Sequence, residues 1–400
     1  DLYTCLRRID PALFSALATG GAVVASQFIG ANRRNDACRV SNQLVLVVLG
    51  VSLLITIPMI LFRAQLFGLV FGGVEQAVWD NAMTYLWITA LSYPFIALYN
   101  AGAALYRSMN RAGTTMMVSL LINAINIAGN ATLIYGVGMG VEGVAIPTLV
   151  SRAVGAICIL GMLRKTHLQI HLLHGAWKPD FAMMRQILRI GVPSGLENSL
   201  FQLGRVLVVQ VIAQFGTIQT AANAVANTMD TIGCLPGQTM NLAIITVVGQ
   251  CVGARDFKQA RYYTRKLLAW TYAATALVNI PLLLLLPWVL PIFDASAEAL
   301  ALASTLIMIH NGAAMILWPA AFTLPNALRA ASDVRYTMIV ALASMAVFRI
   351  ALSYVIGLGL GMGAVGVWIA MVVDWICRVI FYVARYRGNR WEKLAQPSAG

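Results

Sequence analysis

Ser26-Gln27-Phe28-Ile29-Gly30-Ala31 returns later in the chain as Gly249-Gln250-Cys251-Val252-Gly253-Ala254. Gln250 lies 223 positions after Gln27, and the same offset carries Ala37 to Ala260, Pro58 to Pro281 and Leu105 to Leu328. Gly138-Met139-Gly140 maps onto Gly361-Met362-Gly363, and Gly143 onto Gly366, still without a gap. One ungapped register held from Gln27 to Gly143 marks an internal repeat. Each half therefore carries the same series of elements, and the fold is decided by what those elements are.

Composition says that they are membrane helices. Of 400 residues, 60% are hydrophobic and only 11% charged, with mean hydropathy +0.77. A soluble domain carries roughly 25% charged residues, so lipid is the solvent that suits this chain. A spanning helix needs roughly 20 mostly apolar residues. Eleven such stretches lie near 12–29, 42–65, 80–105, 115–135, 143–163, 188–214, 220–250, 265–290, 299–325, 336–358 and 364–384. They are long and unbroken rather than short and alternating, which excludes a closed barrel.

The offset spans six helices, an even number, so both halves enter the membrane in the same direction. The expected fold is an all-α integral membrane protein of two six-helix lobes related by a parallel repeat. The complete arrangement has twelve helices, and this chain shows eleven. The counterpart of 188–214 would precede residue 1, so we expect an N-terminally truncated first lobe. Residues 1–11, with Arg7, Arg8 and Asp10-Pro11, sit where the repeat expects apolar span. The expected domains are a first lobe over 1–163, a linker over 164–187, a second lobe over 188–385 and a tail over 386–400.

Charge sets the orientation. Alternate loops hold 21 of the 28 Lys and Arg residues, from Arg33, Arg34 and Arg39 to Arg385, Arg387, Arg390 and Lys393. The opposite loops hold none, and carry Glu75, Glu142, Asp294 and Glu298. The positive-inside rule places the first set, and the C-terminus, in the cytoplasm of a multi-pass plasma-membrane protein. The net charge of +13 is then topological, and no aromatic-interleaved basic face points to nucleic acid. In the linker, His167, His171 and His174 are spaced to share one helical face. We read the stretch as a solvated amphipathic connector rather than a metal site. The six cysteines are scattered, with no CxxC pair.

Catalytic motifs are missing. Gly138-x-Gly140-x-x-Gly143 and Gly361-x-Gly363-x-x-Gly366 match the dinucleotide pattern, but no strand precedes either. They read as tight turns between antiparallel helices, where Gly tolerates positive φ. No GxSxG, HExxH or Walker sequence occurs. An enzyme is not expected, nor a cofactor or bound metal.

Ionisable residues inside spans are costly in hydrocarbon and mark ion or substrate paths. Here the acids are Glu197, Asp230 and Asp374, and the bases include Arg152, Arg205, Arg349 and Arg378. Glu197 follows Gly191-Val192-Pro193-Ser194-Gly195, where Pro193 frees a backbone carbonyl and bends the helix. Asn198, Gln202 and Arg205 continue the polar positions along one face, as a cavity wall requires. An ion pair of Glu197 with Arg205 or Arg349 is the purely structural alternative. Asp374 and Arg378 stand four apart and can pair within one helix. Asn123, Asn126 and Asn130 form a second polar stripe, and Asn126 is the repeat partner of Arg349. Trp318 and Tyr93 are candidate surfaces for stacking on cations.

Together, Phe14-Ser15-Ala16-Leu17-Ala18-Thr19-Gly20-Gly21, Gly191-Val192-Pro193-Ser194-Gly195-Leu196-Glu197-Asn198-Ser199, the Gln250/Gly253 motif and Leu328-Arg329-Ala330-Ala331-Ser332-Asp333 resemble multidrug and toxic compound extrusion (MATE) transporters. The resemblance implies a cleft with alternating access. It also implies export of organic cations or amphiphiles against inward Na+ or H+. Gln27/Gly30 and Gln250/Gly253 then mark the cytoplasmic ends of the second and eighth helices as structural motifs. Trp318 stands where the Na+-coupled NorM branch carries an acid, and Glu197 comes about one turn early. The DinF-type branch uses an acid on the first helix, which this chain lacks. A lipid-linked oligosaccharide flippase of the same superfamily is the alternative. Expected partners are small organic cations or amphiphiles and membrane lipid, with the chain acting as a monomer.

Overall fold

The protein is described by a computed structural model covering residues 2–65, 76–173 and 177–395. The described residues are almost entirely helical. In order they form α1 (Leu2–Gly30), α2 (Arg34–Leu61), α3 (Gln76–Leu91), α4 (Tyr93–Ser108), α5 (Ala112–Ala131) and α6 (Glu142–Met162). After the linker come α7 (Phe181–Ala213), α8 (Thr217–Gly253), α9 (Phe257–Leu284), α10 (Ala297–Trp318), α11 (Leu324–Ala330), α12 (Val334–Ser344), α13 (Gly363–Arg387) and α14 (Arg390–Ala395). Ten helices among the described residues, some built from two of these elements in line, are long and apolar enough to cross a membrane. The eleventh expected span is α7, whose 33 residues exceed the required length but include Arg189, Glu197 and Arg205.

The repeat is written into the element boundaries. α2 begins at Arg34 and ends at Leu61, while α9 begins at Phe257 and ends at Leu284, so both ends keep the 223-residue offset. Asn32 (φ 57°) and Arg255 (φ 59°) share the offset and the left-handed backbone. So do Gly138 (φ 73°) and Gly361 (φ 68°), which confirms the two Gly-rich stretches as turns with positive φ. Hydrogen bonding of the π type, i→i−5, also recurs, at Thr132–Gly136 and Tyr354–Gly359.

The chain divides into two compact units, Leu2–Gly195 and Leu196–Gly400, and the division falls inside α7. In the first unit α1 packs on α2 and α4, and α6 on α4 and α5. Gly20 of α1 meets α7 so closely that a Cβ there would lie 2.6 Å from the Ile187 carbonyl oxygen and 2.8 Å from the Gly191 nitrogen. Small residues at such crossings let membrane helices approach backbone to backbone. In the second unit α8 packs on α9, α10 and α11, and α10 on α13. Its core gathers Val225, Met229, Leu306, Ile307, Val367 and Trp368. Outward faces stay apolar: Met116, Met117 and Ile127 on α5, and Trp270, Leu277 and Leu284 on α9, are exposed, as lipid contact requires.

The linker departs from its expected form. Residues 164–173 are turns and bends, not helix, so His167 and His171 do not share a helical face; His174 lies outside the described residues. Side chains of α2 take the place of helical hydrogen bonds. Arg34 Nη2 donates to the carbonyls of Thr166 and Leu168 at 2.9 and 2.7 Å. Asn42 both donates to the Leu173 carbonyl and accepts from its amide, each at 3.0 Å. Gln43 does the same with Lys178 and Asp180. Backbone groups of a loop need partners somewhere, and here the first turns of α2 supply them.

A buried ionic site in the second unit

The intramembrane acids of the second unit are all paired. Glu197, buried on α7, accepts from Arg329 Nη2 at 2.5 Å, and Arg329 Nη1 also donates to Asn326 Oδ1 at 2.8 Å. The partner is thus Arg329 of the Leu-Arg-Ala-Ala-Ser-Asp stretch, and neither Arg205 nor Arg349. The reason is reach: α11 brings Arg329 to Glu197, while Arg349 is committed elsewhere. Glu197 Oε2 is buried without a hydrogen-bond partner.

Asp374 is fully buried on α13. It accepts from Arg378 Nε at 3.0 Å, as the four-residue spacing predicts, and from Ser344 Oγ at 2.6 Å. Arg349 Nη1 stands 3.9 Å from its other oxygen. Both guanidinium groups lie over the Phe201 ring, at 4.9 and 5.5 Å from its centroid. Two cations sharing one carboxylate and one aromatic face keep a charge cluster tolerable at low dielectric. Arg349 belongs to a π-helical stretch, Met345–Ala351, a form frequent at functional sites.

Asp230 on α8 has a partner that spacing alone did not suggest. His310 Nδ1 of α10 lies 2.9 Å from Asp230 Oδ1. Cys234 Sγ donates to the same oxygen at 3.4 Å. The His310 ring is walled by Trp368, centroids 4.7 Å apart, and by Trp375 at 4.2 Å. Arg205 lies within electrostatic reach of both Asp230 and Arg349. Beside this pair, Asn279 Nδ2 of α9 donates to the Gly233 carbonyl at 2.9 Å, and Asn311 Nδ2 donates to Asn279 Oδ1 at 2.8 Å. A side chain at Gly233 would collide with both amides. This ladder fixes the rotation of α10 against α8, and so aims His310 at Asp230.

The remaining expected site residues scatter. Gln202 is half-buried, whereas Asn198 is exposed. Trp318 is buried against Gly237 and stacked on Phe322 at 5.1 Å, and buried Tyr93 packs on Phe14 at 6.1 Å. Both rings fill the interior of their units. In the first unit Asn126 Nδ2 donates to Thr148 Oγ1 at 3.1 Å and Asn130 Nδ2 to Asn126 Oδ1 at 3.2 Å, while Asn123 is exposed. Gln27, Gly30, Gln250 and Gly253 close the last turns of α1 and α8, and Pro193 sits inside α7. Sequence reasoning missed the role of His310. The available signal was depth: Asp230 and His310 each lie 13 residues into helices that start from the same end of the lobe.

The MatE family profile matches residues 12–132 and 193–355. "Uncharacterized transporter YisQ" of Bacillus subtilis is 27% identical over 393 residues, covering 95% of this chain and 84% of that protein. "Probable multidrug resistance protein NorM" of Thermotoga maritima is 24% identical, covering 82% of this chain and 71% of its own length. Among solved structures, an outward-facing multidrug resistance MATE family transporter of the MOP superfamily superposes with TM-score 0.91 at 22% identity, covering 98% of this chain and 88% of the other. A MOP superfamily transporter from Pyrococcus furiosus, whose binding pocket is described as reversed in polarity, gives 0.87 at 20%, with 98% and 87% covered.

Proposed function

The chain belongs to the MatE family of multidrug efflux transporters, and from that premise we propose that it is a secondary active antiporter. It exports organic cations, drugs or amphiphilic metabolites and is driven by inward Na+ or H+. It is a multi-pass membrane transporter and not an enzyme, and transport of this kind needs no cofactor.

The observation that carries the coupled-transport reading is the set of buried ionisable groups in the second unit. Glu197, Asp374, Arg349 and Arg378 are buried within apolar helices, and Asp230 is half-buried. Such groups are expensive in hydrocarbon and persist where an ion or substrate uses them. In this reading Glu197 exchanges Arg329 for the coupling ion or the cationic substrate, so the two compete. Arg205, Gln202 and Asn198 supply polar wall positions to the path from α7. Neutralising the carboxylate biases the lobes between two arrangements that open to opposite sides. The positive loop charges support an orientation with the C-terminus in the cytoplasm, in a plasma-membrane exporter.

Efflux from proteoliposomes tests this. Release of a cationic dye should follow an imposed Na+ or pH gradient, and Glu197→Gln should slow it at least about tenfold, the scale of a lost charged contact of about 1.4 kcal/mol. If neither gradient drives release, or the variant matches wild type, the reading fails. Competition by lipid pyrophosphates in place of dyes would favour the flippase alternative, which multidrug relatives do not support.

A further inference from the structure

We propose that the Asp230–His310 pair is a proton-carrying site, with His310 Nε2 as the atom that takes and gives up the proton. Asp230 in its ionised form can only accept hydrogen bonds. At 2.9 Å it therefore fixes Nδ1 as the N–H of the neutral imidazole, leaving Nε2 as the basic nitrogen. Nε2 is buried and has no hydrogen-bond partner, on a residue only 1% exposed. Protonation there converts the ring to an imidazolium held by the carboxylate on its other edge.

The surroundings suit a cation that comes and goes. Two indoles stand beside the imidazole, Trp368 edge-on with centroids 4.7 Å apart and Trp375 tilted at 4.2 Å, within the distance at which an aromatic ring can attract a cation. Trp368 is held in place by its own Nε1 donating to Asn223 Oδ1 at 3.0 Å. Asp230 is about one-fifth exposed, so the pair is reachable although the ring is not. Both residues lie about 20 Å from the helix starts at Thr217 and Ala297, by helix rise, on the charge-poor side of the molecule. A proton arriving from outside would enter at that end.

Every packed element contributes to the charge balance. α8 presents Asp230 and Cys234, and α7 presents Arg205. The Met345–Ala351 stretch presents Arg349, and α13 presents Asp374 and Arg378. α9 contributes uncharged Asn279. Protonating His310 adds one positive charge to a cluster that already holds three guanidinium groups against two carboxylates. The Asp374 pairs are then the fixed charges, and the Asp230–His310 pair is the one that changes. In energy coupling, which rests on the exporter reading, arrival of the proton would set the lobe's charge and its departure would reset it.

Intrinsic tryptophan fluorescence of the purified full chain tests proton uptake without requiring transport, because an imidazolium quenches an indole that it touches. Acidification should quench emission in the wild type and in His167→Gln, which changes an exposed linker histidine. His310→Gln should lose the quench, and Asp230→Asn should diminish it over the same pH interval. In proteoliposomes, pH-driven release of ethidium should fall at least tenfold in His310→Gln, with the variant eluting as the wild type does in gel filtration. A His310→Gln protein that quenches as the wild type does, or that exports at the wild-type rate under a pH gradient, overturns the proposal. Loss of the quench in His310→Gln without ethidium release by the wild type would uphold the proton site and sink the exporter reading instead.

Discussion

Asp374 shows what a single side chain costs and secures in this protein. It is fully buried and answers Arg378, Arg349 and Ser344 at once. Removing one member of a buried pair leaves an uncompensated charge, at about 3–5 kcal/mol. Asp374→Asn should therefore unfold readily in detergent, seen as a marked fall in the midpoint of thermal unfolding. The double variant Asp374→Asn with Arg378→Met should recover part of the loss, because both charges then leave together. Equal midpoints for the single variant and the wild type would mean that the pair does not hold the lobe. The Asp374–Arg378 contact was legible in the sequence because it is local, four residues apart on one helix. Glu197–Arg329 and Asp230–His310 were not, because they join residues 132 and 80 positions apart. Only the packing of α11 and α10 decides those partners, and hydropathy carries no information on helix rotation.

At the scale of helices, the sequence and the structure agree most closely. Hydrophobic length and the 223-residue offset gave the element order, and the matching ends of α2 and α9 reproduce it. The linker was misread as helical because its histidines have helical spacing. What governs it is the row of donors and acceptors on α2, Arg34, Asn42 and Gln43, which bind its backbone. Asn42→Leu should free this segment, and limited proteolysis between residues 164 and 180 should speed up; unchanged cleavage would show that the segment holds without α2. Within the second unit, the Asn279–Gly233–Asn311 ladder predicts that Gly233→Ala costs about 1–3 kcal/mol through overpacking. The same change should weaken the contact between His310 and Asp230, since that ladder sets the rotation of α10. A Gly233→Ala protein with wild-type stability would count against the ladder.

For the molecule as a whole, orientation and coupling are separable claims. In a cysteine-free background, Lys393→Cys should resist a membrane-impermeant maleimide in intact cells, and Ser296→Cys should react. Reversed labelling would invert the topology drawn from the loop charges. The central claim is that the chain couples export to an ion gradient through the buried groups of its second lobe. The most direct measurement is dye efflux from proteoliposomes under an imposed pH or Na+ gradient, wild type beside Glu197→Gln. The account predicts gradient-driven release by the wild type and at least tenfold slower release by the variant. Release that ignores both gradients, or that the variant performs at the wild-type rate, would contradict it.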